Sequence, residues 1–167
     1  GRHQDIVVNI DFKTGKLNWI LGDSEGFSEK YQKYFLKKGP NTEWQYSQHA
    51  AMILPNGDVF LFDNGNNKSK NKENYVSAEN SYSRGVIYHI DKENMTATQV
   101  FEYGKKRGSS FYSPYISDVD YLGENHYIIH SGGISYKNGV IQNQPAGIAG
   151  ADELKSDTVE LLDGEVI

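Results

Sequence analysis

Two of the five histidines lie where a ligand could reach them. His49 opens the first strand of a predicted hairpin, and His130 closes the second strand of a later hairpin, just before a Gly-Gly pair. Imidazole titrates near neutral pH, so either residue could act as a nucleophile or transfer a proton. Their positions alone do not decide whether these two histidines have a catalytic or a structural role. His89 and His126 lie within strands beside aromatic residues, and we expect them to be packing or surface residues.

Two aromatic blocks, at residues 43–46 and 111–115, precede predicted strands. They could be ordinary core residues, or they could form the walls of a phenol pocket, since flat rings stack on flat rings. The sequence contains no HExxH motif, EF-hand loop, P-loop, GxGxxG or GxSxG pattern. We therefore expect neither a metal nor a nucleotide cofactor at the site.

The composition favours short strands joined by tight turns. The 167 residues include 12 Tyr and 17 Gly, which are common in strands and in turns respectively. The absence of Cys excludes disulfides and thiolate metal sites. A net charge of −5 does not favour nucleic acid as a partner. No apolar run approaches the roughly 18 residues of a membrane span.

Alternating apolar residues and turn motifs divide the chain into strand pairs. The Pro-Asn-Gly sequence that begins at Pro55 is strong turn chemistry for a hairpin. A polar stretch over 22–46 has helical character at 28–36, and Pro40 must end any helix there. A Gly-rich loop is predicted over 131–152. The predicted strand pairs cover residues 6–21, 49–62, 85–103, 116–130 and 159–167.

The strand pairs contain an internal repeat, because residues 62–65 (Phe-Asp-Asn-Gly) recur as 129–132 (Ile-His-Ser-Gly). Repeating units of about four strands are typical of β-propellers. We predict an all-β fold of two to three blades of four antiparallel strands: a fragment over 1–22, a blade over 47–104 and a blade over 113–167. A generic β-sandwich is the alternative for the hairpins alone. Both ends of the chain fall within predicted strands, so we expect a piece of a longer ring.

An ordered series of motifs resembles the bacterial arylsulfate sulfotransferases that work without PAPS. Each block is short, but the ordered series from residue 2 to 136 is specific. The resemblance implies a six-bladed propeller with a central active site. It also implies transfer of a sulfuryl group from an aryl sulfate ester to a phenolic acceptor by a ping-pong reaction through a sulfurylated histidine, without PAPS or metal. The matching blocks are residues 2–4, 19–21, 43–49, 62–65, 82–84, 100–108 and 111–114.

The resemblance also suggests roles for individual residues. His49 matches the histidine of the Gln-His motif of the family, a sulfate-binding residue. Lys68 lies where Gram-negative members carry arginine, and lysine keeps the charge but loses the bidentate fork. Tyr136 occupies the place of the sulfurylated histidine, while His130 precedes it on the same predicted blade. We favour His130 as the nucleophile, because a phenol needs its pKa of about 10 lowered; Tyr136 stays open.

Three further residues of the matching blocks are candidates for substrate binding. Asn64 lies in the Asp-Asn-Gly motif, and Arg84 is an alternative to Lys68 as the cation beside the sulfate. Tyr112 belongs to the aromatic block that could wall a phenol pocket. Another histidine of the family lies upstream of residue 1, so we expect this chain alone to be inactive.

Other functions are compatible with a predicted propeller. The first is a non-enzymatic binding or scaffold module, since rings of this kind often serve that purpose. The second is a hydrolase on the same fold, such as a propeller lactonase with a central metal. For the enzyme, we expect an aryl sulfate donor and a phenolic acceptor as partners, no cofactor, and secretion or a periplasmic location in a bacterium. A homo-oligomer is compatible with the sequence.

Overall fold

The computed structural model describes residues 1–167 and consists mostly of antiparallel β-sheet. The first sheet is a hairpin of β1 (Val7–Ile10) and β2 (Leu17–Leu21). Its turn is held by Asp11, whose Oδ1 accepts from the backbone N–H of Lys13 and from the backbone N–H and hydroxyl of Thr14. The hairpin predicted at 6–21 is therefore confirmed.

The second sheet has five strands. Its members are β3 (Lys37–Lys38), β4 (His49–Ile53), β5 (Val59–Asp63), β6 (Arg84–Asp91) and β7 (Thr96–Tyr103). Strands β4 to β7 form an antiparallel meander in sequence order, and β3 adds to β7 in parallel. Strand β5, between β4 and β6, is buried along its whole length, as its unbroken apolar run predicts.

The third sheet is built around a long strand, β9. Its members are β8 (Asp118–Gly123), β9 (His126–Lys137), β10 (Val140–Ile141), β11 (Glu153–Leu162) and β12 (Glu165–Val166). Strand β11 pairs along one edge of β9, while β8 and β10 share the other edge. Strand β12 closes the sheet as a hairpin with β11.

The core places the second sheet between the other two. Val59 and Leu61 of β5 pack on one side with Trp19 and Leu21 of the first sheet. Phe60 and Phe62, on the opposite face of the strand, pack against the third sheet. Contact between the second and third sheets is close: a Cβ added at Gly85 would meet Ile129 Cδ1 at 2.5 Å. Face-to-face stacking of this kind is what neighbouring blades require, while the ring and its blade boundaries stay predictions.

The helical segments are short and lie in the connections. They are the α-helices α1 (Glu29–Gln32) and α2 (Ala146–Ala149), and 3₁₀ segments at Arg2–Gln4, Lys72–Asn74, Ala78–Asn80 and Lys105–Phe111. All of them are far shorter than the stretch a membrane-crossing helix requires. The helix expected over 28–36 stops early, because the backbone of Ile20 bonds to Tyr34 and Leu36 instead.

The third sheet also corrects the predicted end of a strand. The Gly-Gly pair after His130 was expected to begin a loop, but β9 continues to Lys137. Gly132 and Gly133 stay extended, and the Gly133 N–H donates to Ser113 Oγ at 2.8 Å. A side chain on Gly133 would meet the ring and carbonyl of Tyr115 at 2.7 Å, so glycine permits this close approach. His130 therefore lies within a strand, opposite Asp118 where β8 begins.

Candidate functional site

His49 and Asn64 are brought together at one end of the second sheet. His49 starts β4, and Asn64 follows the last residue of β5. The side-chain atoms His49 Nδ1 and Asn64 Oδ1 are 2.7 Å apart. Asn64 Nδ2 donates to the carbonyls of Ser113 and Ile116, at 2.8 and 2.9 Å, so its Oδ1 can only accept. We infer that His49 Nδ1 carries the hydrogen and that Nε2 has a free lone pair when the ring is neutral.

The backbone on both sides of His49 is strained. Ser47 and Ala50 have left-handed φ values of 57° and 53°, and a β-bulge separates His49 from the regular pairing of β4. Lys68 and the β-branched Ile116, whose carbonyl contacts Asn64, both have φ values of 50°. Non-glycine residues in this region cost free energy, and they concentrate at functional sites. The strain thus marks the same end of the sheet as the candidate residues.

Arg84 is fully buried and its guanidinium is occupied by protein partners. Nε donates to Asp63 Oδ2 at 2.9 Å, and the terminal nitrogens donate to Gln99 Oε1 and to the carbonyl of Glu43. Burial acts to lower the pKa of Arg84, but the charge of Asp63 outweighs it and the net shift is upward. Asp63 also accepts two backbone N–H groups through its other oxygen. Arg84 therefore joins the end of β5 to β7 and to the segment that contains Glu43, which is a structural role.

Lys68 lies near the Arg84–Asp63 pair and forms no hydrogen bond or ion pair with the protein. Its Nζ lies 3.2 Å from the centroid of the Tyr82 ring, a cation–π contact. Arg84 and Lys105 face the same ring at 5.9 and 5.4 Å. Burial lowers the pKa of Lys68 to about 8, against the opposing attraction of Asp63. Lys68 is therefore a half-buried ammonium without a fixed anionic partner.

Glu43 neutralises part of this cationic cluster. It accepts hydrogen bonds from the Tyr82 hydroxyl and from Lys105 Nζ. Burial disfavours its ionised form, but the bonds from Lys105 and Tyr82 prevail and lower its pKa to about 2. The ring of Tyr82 is thus fixed by its hydroxyl, which holds the surface on which Lys68 rests.

His130 lies on the neighbouring sheet and is half-buried. Its Nδ1 is 2.8 Å from Thr158 Oγ1, directly across the strand pair. A Cβ placed on Gly132 would meet His130 Nε2 at 3.0 Å and Ile116 Cδ1 at 3.3 Å. Ile116 in turn contacts Asn64. His130 and Ile116 thus both lie close to Gly132, and Ile116 also contacts Asn64, the partner of His49. The two imidazoles lie on different sheets, and no hydrogen bond joins them.

Tyr112 and Tyr136 lie together in a separate cluster. The Tyr112 ring is fully buried, and its hydroxyl accepts from Asn66 and donates to Asn143 at 3.0 and 2.7 Å. Burial raises the pKa of Tyr112 to about 12. Tyr136 packs against this cluster, and Lys155 Nζ lies 4.7 Å from its ring. Neither tyrosine is hydrogen-bonded to His49, Lys68 or His130.

Two open clefts lie beside the His49 region. One, of about 300 Å³, is lined by His49, Gln48 and the apolar side chains of Ile6, Val7, Val8, Ala50 and Ala51. The other, of about 450 Å³, is polar, and its lining includes Arg2, Lys70, Phe27 and Tyr75. The apolar cleft is large enough for a single aromatic ring next to an imidazole. No group of three or more His, Asp or Glu side chains is arranged to hold a metal ion.

Comparison with known proteins identifies the family. The model of the arylsulfotransferase (ASST) family matches residues 1–163. The chain belongs to the arylsulfotransferase family. Among curated relatives, the arylsulfate sulfotransferase AssT of Escherichia coli O6:H1 is 32% identical over 152 residues, which are 79% of this chain and 24% of that protein. AssT of Lelliottia amnigena is 34% identical over 137 residues, or 72% and 22%. The chain thus spans about a quarter of the length of these relatives.

The structure adds residues to the candidate site that the sequence motifs did not single out. Asp5 accepts the Ser47 N–H at 2.6 Å, and Gln48 Nε2 donates to the Ile6 carbonyl at 2.7 Å. These bonds hold the segment before His49 against the segment before β1. Gln48 lies in the Gln-His motif, so its position was visible in the sequence. The partners of Asp5 lie about forty residues away, and no local pattern indicates them.

Proposed function

We propose that the full-length protein containing this chain transfers a sulfuryl group from an aryl sulfate ester to a phenolic acceptor. The reaction uses no PAPS and proceeds by a ping-pong mechanism through a sulfurylated residue. Membership of the arylsulfotransferase family supports the reaction class. The observation that carries the assignment of the site is the His49–Asn64 pair, in which a strained backbone and a buried amide orient one imidazole nitrogen.

His49 would move the proton in both halves of the reaction. When an aryl sulfate loses its sulfuryl group, negative charge shifts toward the leaving phenolate oxygen. A protonated His49 donates its Nε2 hydrogen to that oxygen and becomes neutral. The neutral ring, with Nδ1–H still bonded to Asn64, then takes the proton of the acceptor phenol. The cycle leaves the protonation of His49 unchanged.

Lys68 would supply the positive charge beside the sulfate. Its ammonium has no anionic partner of its own, whereas the Arg84 guanidinium is used by Asp63, Gln99 and Glu43. We therefore favour Lys68 over Arg84 as the substrate-binding cation. Arg84 acts as a positioning residue through Asp63, and Asn64 acts through His49.

His130 is the proposed nucleophile. Its ring nitrogen would attack sulfur as the S–O bond to the leaving phenol breaks, and the electron pair of that bond goes to the phenol oxygen. In the second half the S–N bond breaks, its electrons return to the ring, and the acceptor oxygen bonds to sulfur. Imidazole offers a lone pair near neutral pH, whereas a phenol ionises near 10. Tyr136 is the alternative, and it packs with Tyr112 in a separate cluster.

The fold proposed around this site is a β-propeller. Three sheets stacked face to face through β5 support it, because blades of a ring pack in this way. Residues contributed by other blades would complete the site, so we propose that this chain alone is inactive. A secreted or periplasmic location and assembly into a homo-oligomer stay predictions.

Mass spectrometry of the full-length protein tests the proposal. The protein is mixed with 4-nitrophenyl sulfate, quenched within one turnover and measured intact, then fragmented. We expect a mass increase of one sulfuryl group on His130, and the same species should disappear when phenol is added. An adduct on Tyr136 would transfer the nucleophilic role to that residue. Release of nitrophenol without any adduct would contradict the ping-pong mechanism.

A further inference from the structure

Two loops at the end of the sheets that holds His49 carry an excess of positive charge. Residues 64–83 join β5 to β6, and residues 104–117 join β7 to β8. Asn64 bonds to two carbonyls of the second loop, which therefore lies directly beside the candidate site. Together these cationic loops contain two acidic residues, Glu73 and Glu79, and six basic ones. The basic residues are Lys68, Lys70, Lys72, Lys105, Lys106 and Arg107.

The opposite end of the same sheets has an excess of negative charge. Because the hairpin strands pair antiparallel, their short turns lie away from His49, and the turns of the second and third sheets line common clefts. Five turns contain five acidic residues and three lysines: residues 11–16, 54–58, 92–95, 124–125 and 163–164. The connection over 22–48 has four basic and four acidic residues and adds no net charge. The chain thus separates its charges between the two ends of its sheets.

Part of the positive charge of the cationic loops is not neutralised by the protein. Lys105 and Arg107 form ion pairs with acidic residues of other segments. Lys68, Lys72 and Lys106 take part in no ion pair. Lys72 and Lys106 are also exposed, so an ion that approaches this end from solution meets their field.

The two substrates of the proposed reaction differ in charge. An aryl sulfate is an anion at neutral pH, whereas a phenol with a pKa of about 10 is neutral. A surface of one sign raises the local concentration of counter-ions and the rate at which they associate. We propose that the cationic loops attract the aryl sulfate donor to the site and leave the encounter with the phenolic acceptor unchanged. This inference rests on the proposed function, which supplies the identity of the anion.

Charge reversal at the two exposed lysines tests this attraction in the full-length protein. The double variant Lys72→Glu, Lys106→Glu is assayed at about 10 mM ionic strength, where charges act over about 30 Å. We expect kcat/KM for 4-nitrophenyl sulfate to fall on the order of threefold to tenfold. At about 1 M salt the screening length is about 3 Å, so the difference from wild type should disappear. In both conditions kcat/KM for phenol should stay within about twofold of wild type.

The matched control is the double variant Lys13→Glu, Lys92→Glu. Both lysines are exposed, form no ion pair and lie in turns at the opposite end, so the change of net charge is the same. We expect its kcat/KM for the donor to stay within about twofold of wild type. Equal losses in the two double variants would show that only net charge matters and would overturn the proposal. The same conclusion would follow from a loss that persists at high salt, from an equal loss toward phenol, or from no loss.

Binding to the unaltered protein provides a measurement that needs neither variant nor turnover. 1-Naphthalenesulfonate is an anion that cannot transfer its sulfur group, and 1-naphthol is a neutral ring of similar size. In equilibrium dialysis, the affinity for the sulfonate should fall on the order of tenfold between about 10 mM and 1 M salt, and the affinity for naphthol should not fall. Sulfonate binding that does not depend on salt would contradict the proposal. Salt-dependent binding by a protein that releases no nitrophenol from 4-nitrophenyl sulfate would contradict the proposed function alone.

Discussion

Asp63 in the second sheet and His130 in the third occupy equivalent positions of the repeat, but they make different interactions. Asp63 ends β5 and lies opposite Arg84, and His130 occupies the corresponding place in the repeat, opposite Thr158. Asp63 and Arg84 form a fully buried ion pair, whereas His130 is half-buried and bonds to a neutral hydroxyl. The fold thus repeats a position but not its chemistry.

The residues that follow these two positions behave alike. Asn64 and Ser131 are both fully buried, and both donate to a backbone carbonyl of the incoming loop, at Ser113 and Phe111 respectively. In both sheets the residue after the compared position therefore holds the loop between β7 and β8. The difference is that Asn64 has a second polar atom, which orients His49. Asn64 thus makes the same loop contact as Ser131 and, in addition, a contact with a candidate catalytic residue.

The largest effect is expected from His130→Ala in the full-length protein. Removal of the nucleophile should lower transfer from 4-nitrophenyl sulfate to background and abolish the sulfurylated species, while thermal unfolding changes little because the ring is half-buried. His126→Ala is the control, since His126 is half-buried on the same strand and bonds to Glu160. If His130→Ala still formed the sulfurylated species, His130 would not be the nucleophile, and its role would be structural, like that of Asp63.

His49→Ala should lower turnover by about 10²–10⁴-fold, the usual contribution of a general acid–base group. The matched control is His89→Ala, because His89 lies in the same sheet, bonds to Asp58 and is 58% exposed. Steady-state rates with 4-nitrophenyl sulfate and phenol measure the difference. Turnover close to wild type in His49→Ala would remove this residue from the mechanism.

Asp63→Asn tests the structural side of the comparison. It leaves the buried Arg84 charge without a counter-ion, and breaking such a pair costs about 3–5 kcal/mol. Thr158→Val removes the partner of His130 in the third sheet, as Asp63→Asn removes the counter-ion of Arg84 in the second. It deletes one exposed hydroxyl and should cost less than about 1 kcal/mol. Denaturant unfolding of the full-length protein gives both values. Equal losses would mean that the two positions carry the same structural weight.

The smallest effect concerns pH. Lys68 has a pKa of about 8, so its charge is present below that pH and is lost as the pH rises through it. The groups that influence it are Asp63, Glu43, Arg84 and Lys105. We expect kcat/KM for the donor to fall above pH 8, about tenfold per unit at most. In Lys68→Arg the charge persists, and this alkaline limb should move upward; a limb unchanged by the substitution would exclude Lys68 as its source.

Much of the local structure followed from the sequence. The hairpins at 6–21 and 49–62 were predicted from their turns, and the structure confirms them. The start of β4 at His49 was also predicted correctly. The continuation of β9 through Gly132 was missed, because a Gly-Gly pair resembles a loop until the ring of Tyr115 is seen to lie against it. The helix predicted over 28–36 is shorter in the structure, again because of a contact distant in sequence: the backbone of Ile20 forms hydrogen bonds with Tyr34 and Leu36.

By itself, the sequence determined the family, the predominance of strands and the presence of two histidines beside conspicuous turns. Only the tertiary structure decided which nitrogen of His49 is free and which cation lacks a partner. Those properties depend on contacts between residues about fifty positions apart, such as Asn64 with Ser113 and Ile116. Residue type limits what a side chain can donate or accept, but its neighbours in space decide which of those groups remain available.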